Sequence, residues 1–362
     1  MPILWKYLLR SYFQFLFICV SAFVAVLLVI RFQDIAYFAS SGAGIIYVAL
    51  FSLYQIPYIL PLAIPISCLI ASMILFQRMS ASLELTALRA SGIALAPIAY
   101  PFILSAIVLS LLNFTIISEV APVTRIRSKN LIYEIAQENP LIVLQKDSML
   151  DIKTVAFDLK SLQLGKKAKE VLCVIRQSSS ERIGLFTVQE LSVDKNFIYG
   201  KSVSILSSAN SLLQEGFDHL VIENQKTMQS DKSMVFNQLF QADWFNKDDL
   251  LSFKKLLEKC KANSYKPTSS PVIELIRRSC LGFCPLTFTL LGIGFGTTIG
   301  RNKKKGAIIT AFFLASLIMI CFVASKTIQK SVTISLLLYL IPQPLAILLS
   351  LRNLSLSSKG IE

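Results

Sequence analysis

Six stretches of this 362-residue chain are too long and too apolar to be ordinary core segments, and they decide what it can become. They cover residues 12–30, 45–76, 94–117, 281–299, 307–325 and 332–351. Each is at least about as long as a helix that crosses a hydrocarbon layer, where only a helix or a closed barrel leaves no backbone group unpaired. The second is too long for one straight crossing, and Pro57, Pro61 and Pro65 predict a kinked helix whose early part lies at the interface. With 54% hydrophobic and 16% charged residues gathered in this way, the chain reads as a membrane protein and not as one large soluble core. The first run lacks a small-x-small exit and is read as a span, not a cleaved signal.

The texture changes between 118 and 271. Short β-branched and apolar stretches at 154–159, 170–176, 184–191, 197–206 and 219–223 are separated by polar or glycine breaks, the pattern of an antiparallel β domain. Residues 248–261 predict a short amphipathic helix, and 263–271 the linker back to the apolar runs. The division expected is therefore 1–117 with three transmembrane helices, 118–271 with the β domain, and 272–362 with three more helices and a tail.

Six crossings put both ends of the chain on one side. Lys6, Arg10, Arg78, Arg89, Arg301, Lys303, Lys304, Lys305, Arg352 and Lys359 fall on that side, against Arg31, Lys326 and Lys330 in the short loops opposite. The positive-inside bias makes the termini cytoplasmic and the β domain extracytoplasmic. The net charge of +14 is mostly explained by these flanking clusters, since the middle region is close to neutral, and nucleic acid is not expected as a partner.

Reagents for chemistry are scarce. Gly292, Gly294, Gly296 and Gly300 lie inside an apolar run with no strand before them and no Gly-Lys-Ser/Thr after, so they predict close helix packing and not a nucleotide loop. Outside the β region the acids are Asp34, Glu84, Glu274 and Glu362, none of them mid-span, which disfavours a proton path. His219 stands alone, so no metal site is expected, and neither catalytic residues nor a cofactor are assigned. Of seven cysteines, five lie in or beside apolar runs; Cys173 and Cys260 are left as a pair able to cross-link in an oxidising space.

Two groups of residues invite a role. The island 77–92, between the second and third runs, predicts a short amphipathic surface helix ending at Gly92. Arg78, Glu84, Leu85, Leu88 and Arg89 offer it two leucines and opposite charges. Arg31, Arg277 and Arg278 stand at the outer ends of the first and fourth spans, where a guanidinium either snorkels to bulk lipid phosphate or holds an anionic headgroup as cargo.

The stretch Glu84-Leu-Thr-Ala-Leu-Arg-Ala-Ser-Gly92 and the three-plus-three span layout resemble the LptF/LptG family of lipopolysaccharide-export permease subunits. Lys6-Tyr-Leu-Leu-Arg10, Arg31-Phe-Gln-Asp34, Asn139-Pro140 and Glu274-Leu-Ile-Arg277-Arg278 add weaker matches. The resemblance implies a six-helix membrane protein with a periplasmic jellyroll-like β domain between helices three and four, in the bacterial inner membrane. It implies a paralogous permease subunit as heterodimer partner, a cytoplasmic ABC ATPase dimer gripping the 77–92 helix, and a periplasmic jellyroll bridge protein. Lipopolysaccharide would be the cargo, with Arg31, Arg277 and Arg278 as its contacts. Glu84 and Arg89 would be polar contacts to the ATPase, Leu85 and Leu88 its apolar anchors. The Arg31-Phe-Gln-Asp34 exit is more like one paralogue and Asn139-Pro140 more like the other. Two other readings stay open: a permease of another ABC system with a large outer domain, for lipoprotein release or force transmission, and a membrane-embedded lipid-modifying enzyme.

Overall fold

The apolar runs become helices, and most of the polar side chains among them are spent on the backbone. The computed structural model describes residues 2–40, 44–138, 155–163, 167–176, 183–193, 197–208, 219–231, 248–262, 270–297, 305–327 and 332–358. The first half contains α1 (Pro2–Ile30), α2 (Phe32–Ser40), α3 (Ile45–Ala81), α4 (Glu84–Ala90), α5 (Leu95–Thr115), a π turn (Ile116–Val120) and α6 (Ala121–Glu138). After the strands come a 3-10 turn (Asp248–Leu250), α7 (Phe253–Ala262), α8 (Ser270–Gly296), α9 (Lys305–Thr327), α10 (Val332–Leu340) and α11 (Pro342–Ser358). Six helical stretches are long and apolar enough to cross a membrane, in the order the sequence predicts.

The third stretch differs from its expected end. The helix does not stop near Ile117; it passes through the π turn and continues as α6 to Glu138. The segment 118–138 has no glycine, and its one proline, Pro122, falls at the start of α6, where a missing N–H is tolerated. Ala121, Ser128 and Leu131 recur on one helical face and are buried.

The chain forms two compact units, residues 1–30, 54–125 and 248–362 in one and 31–53 and 126–247 in the other. In the first unit α8 is the central element, packed on α5, α7, α9, α10 and α11. Its glycines permit the approach. A Cβ at Gly292 would overlap Ser72 Oγ of α3 and stand 2.8 Å from the Leu69 carbonyl oxygen, while one at Gly294 would stand 2.7 Å from the carbonyl oxygen of Ser350. The glycine run is thus a packing surface, as its setting in an apolar run predicts.

Prolines set the other requirement of this core. Pro65 and Pro285 lack the N–H that would bond the carbonyls four residues earlier, those of Pro61 and Leu281. The Asn113 amide, fully buried on α5, donates to both, at 3.4 and 2.9 Å. One side chain thereby repairs two proline breaks in neighbouring helices and ties α3, α5 and α8 together.

In the other unit five strands form a single antiparallel meander in the order β1-β2-β3-β4-β5. They are β1 (Val155–Gln163), β2 (Lys167–Arg176), β3 (Ile183–Val193), β4 (Phe197–Ser208) and β5 (His219–Asp231), each containing or overlapping a stretch predicted from the sequence. The register aligns Val174, Leu185, Leu206 and Val221 in one cross-strand row, with Leu206 and Val221 exposed. The pairing shifts between Val203 and Ile205, a bulge in the last strand pair. Among the described residues this is one antiparallel sheet. Asn139-Pro140 lie outside them, as do residues 301–304 and 263–269.

Replacing Asn113 with Leu orphans the Pro61 and Leu281 carbonyls in an apolar setting and is expected to cost about 1–3 kcal/mol. Thermal unfolding in detergent should show a lowered midpoint, whereas Gly306→Ala, which meets nothing within 4 Å, should leave the midpoint in place.

Candidate functional site

Two places in the helical unit gather polar side chains, and the first is the elbow between α3 and α5. The sequence predicts one helix over 77–92; the structure breaks it. Both the Ser82 N–H and the Ser82 hydroxyl donate to the Arg78 carbonyl, each at 2.9 Å, closing the end of α3. Leu83 then takes a left-handed conformation with φ of 56°, and the seven-residue α4 begins at Glu84, an acid placed at the positive end of its helix. The far end closes as predicted. Gly92 has φ of +84°, its N–H donates to Arg89 and that of Ile93 to Leu88, the paired bonds of a Schellman cap with Ile93 and Leu88 against the core.

The side chains divide by face. Leu85 is 2% exposed and lies in the chain's own core with Met79, Leu95 and Ile98, while Leu88 packs against the same cluster. Arg89 donates from Nη1 to the Ser357 carbonyl on α11 at 3.2 Å. Arg78 is exposed and Glu84 half-buried. Leu83, Thr86, Ala87 and Ala90 point outward at i, i+3, i+4 and i+7, a single small and mostly apolar stripe. The leucines expected as anchors for a partner therefore hold α4 to its own bundle, because their spacing matches the inward face.

The second place lies where α8 begins. Arg278 is 1% exposed, and its guanidinium spends five donors on five acceptors. Nε donates to Glu274 Oε1 at 2.9 Å. Nη1 reaches the carbonyls of Leu251 at 2.9 Å and Ser118 at 3.4 Å, and Nη2 those of Asp248 and Asp249 at 3.2 and 3.3 Å. Ser118 belongs to the π turn, so the helix widens where its carbonyl meets this cation. Arg278 is thus a buried tie between α8, the π turn and the 3-10 turn, not a cation at headgroup level.

Arg277 is bidentate to Glu274, with Nε at 2.7 Å from Oε2 and Nη2 on Oε1. It also faces Asp249, as do Arg125 and Lys326, at 3.9, 3.7 and 3.5 Å. Burial alone would push the Asp249 carboxyl up, but Arg277, Lys326 and Arg125 outweigh it and hold it below the usual carboxylate range. Arg125 and Asp249 were not singled out in the sequence and Lys326 was read only as a loop cation; 76 residues lie between Asp249 and Lys326, and nothing in the spacing joins them. The acidic doublet Asp248-Asp249 before a basic amphipathic helix was the one local signal.

Arg31 is half-exposed and pairs with Asp34 at 3.3 Å, one turn away. Cys260 is a buried free thiol, and the side chain of Cys173, its expected partner, lies outside the described residues. Among the described residues no cluster of His, Cys, Asp and Glu is able to hold a metal ion.

Six long apolar helices and an inserted antiparallel sheet define a multi-pass membrane protein. The family model described as lipopolysaccharide export system permease LptF/LptG matches residues 6–355, nearly the whole chain, and the chain belongs to that family. No individual curated protein matches it.

Arg278→Met leaves buried Glu274 paired with Arg277 alone and strands four carbonyls, at an expected cost of about 1–3 kcal/mol for each one left without a donor, visible as a collapsed yield of folded protein. Asp249 has a depressed folded value, so its contribution to stability is present above the ordinary carboxylate range and is lost as pH falls through that depressed value. Acid-unfolding profiles should show this component in the wild type and lack it in Asp249→Asn.

Proposed function

We propose that this chain is one permease subunit of an ATP-driven exporter that takes lipopolysaccharide from the outer leaflet of the bacterial inner membrane and passes it to a periplasmic bridge. The near-full-length family match carries this reading. A paralogous subunit completes the membrane pore as a heterodimer, and a cytoplasmic ABC ATPase dimer supplies the energy. Both termini face the cytoplasm, and the β unit is periplasmic and jellyroll-like. The tally of loop cations supports that orientation.

Exposure along the spans supports a partner and a cargo path. The spans of α3 and α8 are mostly buried within the chain, at 72% and 78%, whereas only 6% of the first and 22% of the fifth are buried. The first and fifth spans thus keep their surfaces for lipid, cargo or the second subunit. In the sheet, the row Val174, Leu185, Leu206 and Val221 offers apolar surface to acyl chains, and the long β5 offers backbone to an added strand.

At the elbow, the ATPase meets the outward stripe Leu83, Thr86, Ala87 and Ala90, flanked by Arg78 and Glu84. Leu85, Leu88 and Arg89 act from behind, holding α4 rigidly on α11 and the core so that a push on the stripe moves the spans. Arg31 receives a cargo phosphate when its pairing with Asp34 opens.

Ala87→Arg should abolish co-purification of the ATPase at unchanged membrane insertion, while Thr86→Ser should retain it. A normal yield of complex from Ala87→Arg would refute the docking face. Separately, Arg31→Glu is expected to lower photo-cross-linking of lipopolysaccharide several-fold with ATPase docking intact, read from the cross-linked fraction on gels.

A further inference from the structure

Both joints of the elbow are made of left-handed residues. Leu83, between α3 and α4, has φ of 56°, and Gly92, between α4 and α5, has φ of 84°. A left-handed residue ends a right-handed helix, so α4 continues neither of the spans it joins in sequence. A displacement of α4 must turn at these joints before it reaches α3 or α5 along the chain.

A second route leaves α4 sideways. Arg89 Nη1 donates at 3.2 Å to the carbonyl of Ser357. Ser357 lies in the last turn of α11, which ends at Ser358, so its carbonyl has no donor within the helix and stands at the negative pole. Arg89 is itself in the last turn of α4. One guanidinium thus serves the C-terminal ends of two helices. Leu354 of α11, one turn before the capped carbonyl, packs against the same apolar cluster as Leu85 and Leu88.

Asn353, beside Leu354, carries the contacts onward. Its Nδ2 donates at 2.9 Å to the Gly294 carbonyl in the last turn of α8, to which Thr297 Oγ1 also donates at 3.4 Å. The two backbones are close here, since a Cβ at Gly294 would stand 2.7 Å from the Ser350 carbonyl oxygen. The C-terminal ends of α4, α11 and α8 are therefore joined by two side chains. Hydrogen bonds to fixed carbonyls hold direction, which apolar packing alone leaves free to slip.

We propose that Arg89 and Asn353 are positioning residues that gear α4 to the sixth span and, through it, to the fourth. A displacement of the elbow is then delivered to helices that it does not adjoin in sequence. This rests on the reading of α4 as the ATPase docking element and adds where the displacement goes. Because α8 is the central element of the helical unit, a shift received there reaches α5, α7, α9 and α10.

The test uses the full-length chain with its co-purifying subunits in nanodiscs. Hydrogen–deuterium exchange is read by mass spectrometry over residues 83–92, 350–358 and 290–297, with and without trapping by ATP and vanadate. In the wild type, trapping should change exchange in all three stretches. Asn353→Leu should keep the change in the first two and lose it in 290–297, and Arg89→Met should keep it in 83–92 alone. Should Asn353→Leu not fold, Asn353→Ser, too short to reach Gly294, takes its place. Lipopolysaccharide released per ATP hydrolysed should fall about five- to tenfold in each variant. Arg89→Lys, which still donates to a C-terminal carbonyl, should recover most of it. A merely structural part for these side chains predicts a lower yield of folded protein with the pattern of exchange unchanged. A change in 290–297 that persists in the variants, or that is missing from the wild type, would overturn the proposal and leave the docking reading standing. Wild-type protein that retains no ATPase would refute the docking reading and the proposal with it.

Discussion

A carbonyl without a donor is costly where no water can reach it, and that constraint organises the helical unit. Proline bends α3 and α8 but leaves the Pro61 and Leu281 carbonyls open, and the Asn113 amide answers both. Ser110, one turn earlier on α5, donates to Gly282 at 2.7 Å, and Gln343 of α11 to Cys280, also at 2.7 Å. The helices are thus held by side-chain hydrogen bonds onto one another's backbone, with glycines letting the backbones come close enough to make them.

Arg278 applies the same logic with charge. A guanidinium with almost no exposure needs every donor satisfied, and its five acceptors come from α8 itself, the π turn and the turn before α7. The segment leading out of the sheet region is fastened to the outer end of the fourth span by backbone bonds. The Asp249 carboxylate on that turn faces three cations, Arg125, Arg277 and Lys326. The rigid tie and the ion cluster are therefore two consequences of one arginine.

The elbow shows how a surface helix is made rigid from behind. Leu85, Leu88 and Ile93 bury its inner face, the Schellman cap closes its end, and Arg89 reaches α11. What faces outward is small and mostly apolar. The family places such a chain among permeases of lipopolysaccharide export.

Local pattern carried much of this into the sequence. The six spans, the five strands and the positive-φ glycine at 92 depend on periodicity, length and single-residue conformation, which neighbours along the chain determine. The break at Ser82 and Leu83 and the continuation of the third span to Glu138 did not show, because a serine bond back to Arg78 and a π turn leave no mark in hydropathy. The inward facing of Leu85, the union of Arg125, Asp249 and Lys326, and the enclosure of Arg278 were settled only by packing. Residues far apart in the chain met there, and each took its partners from groups that sequence spacing does not connect.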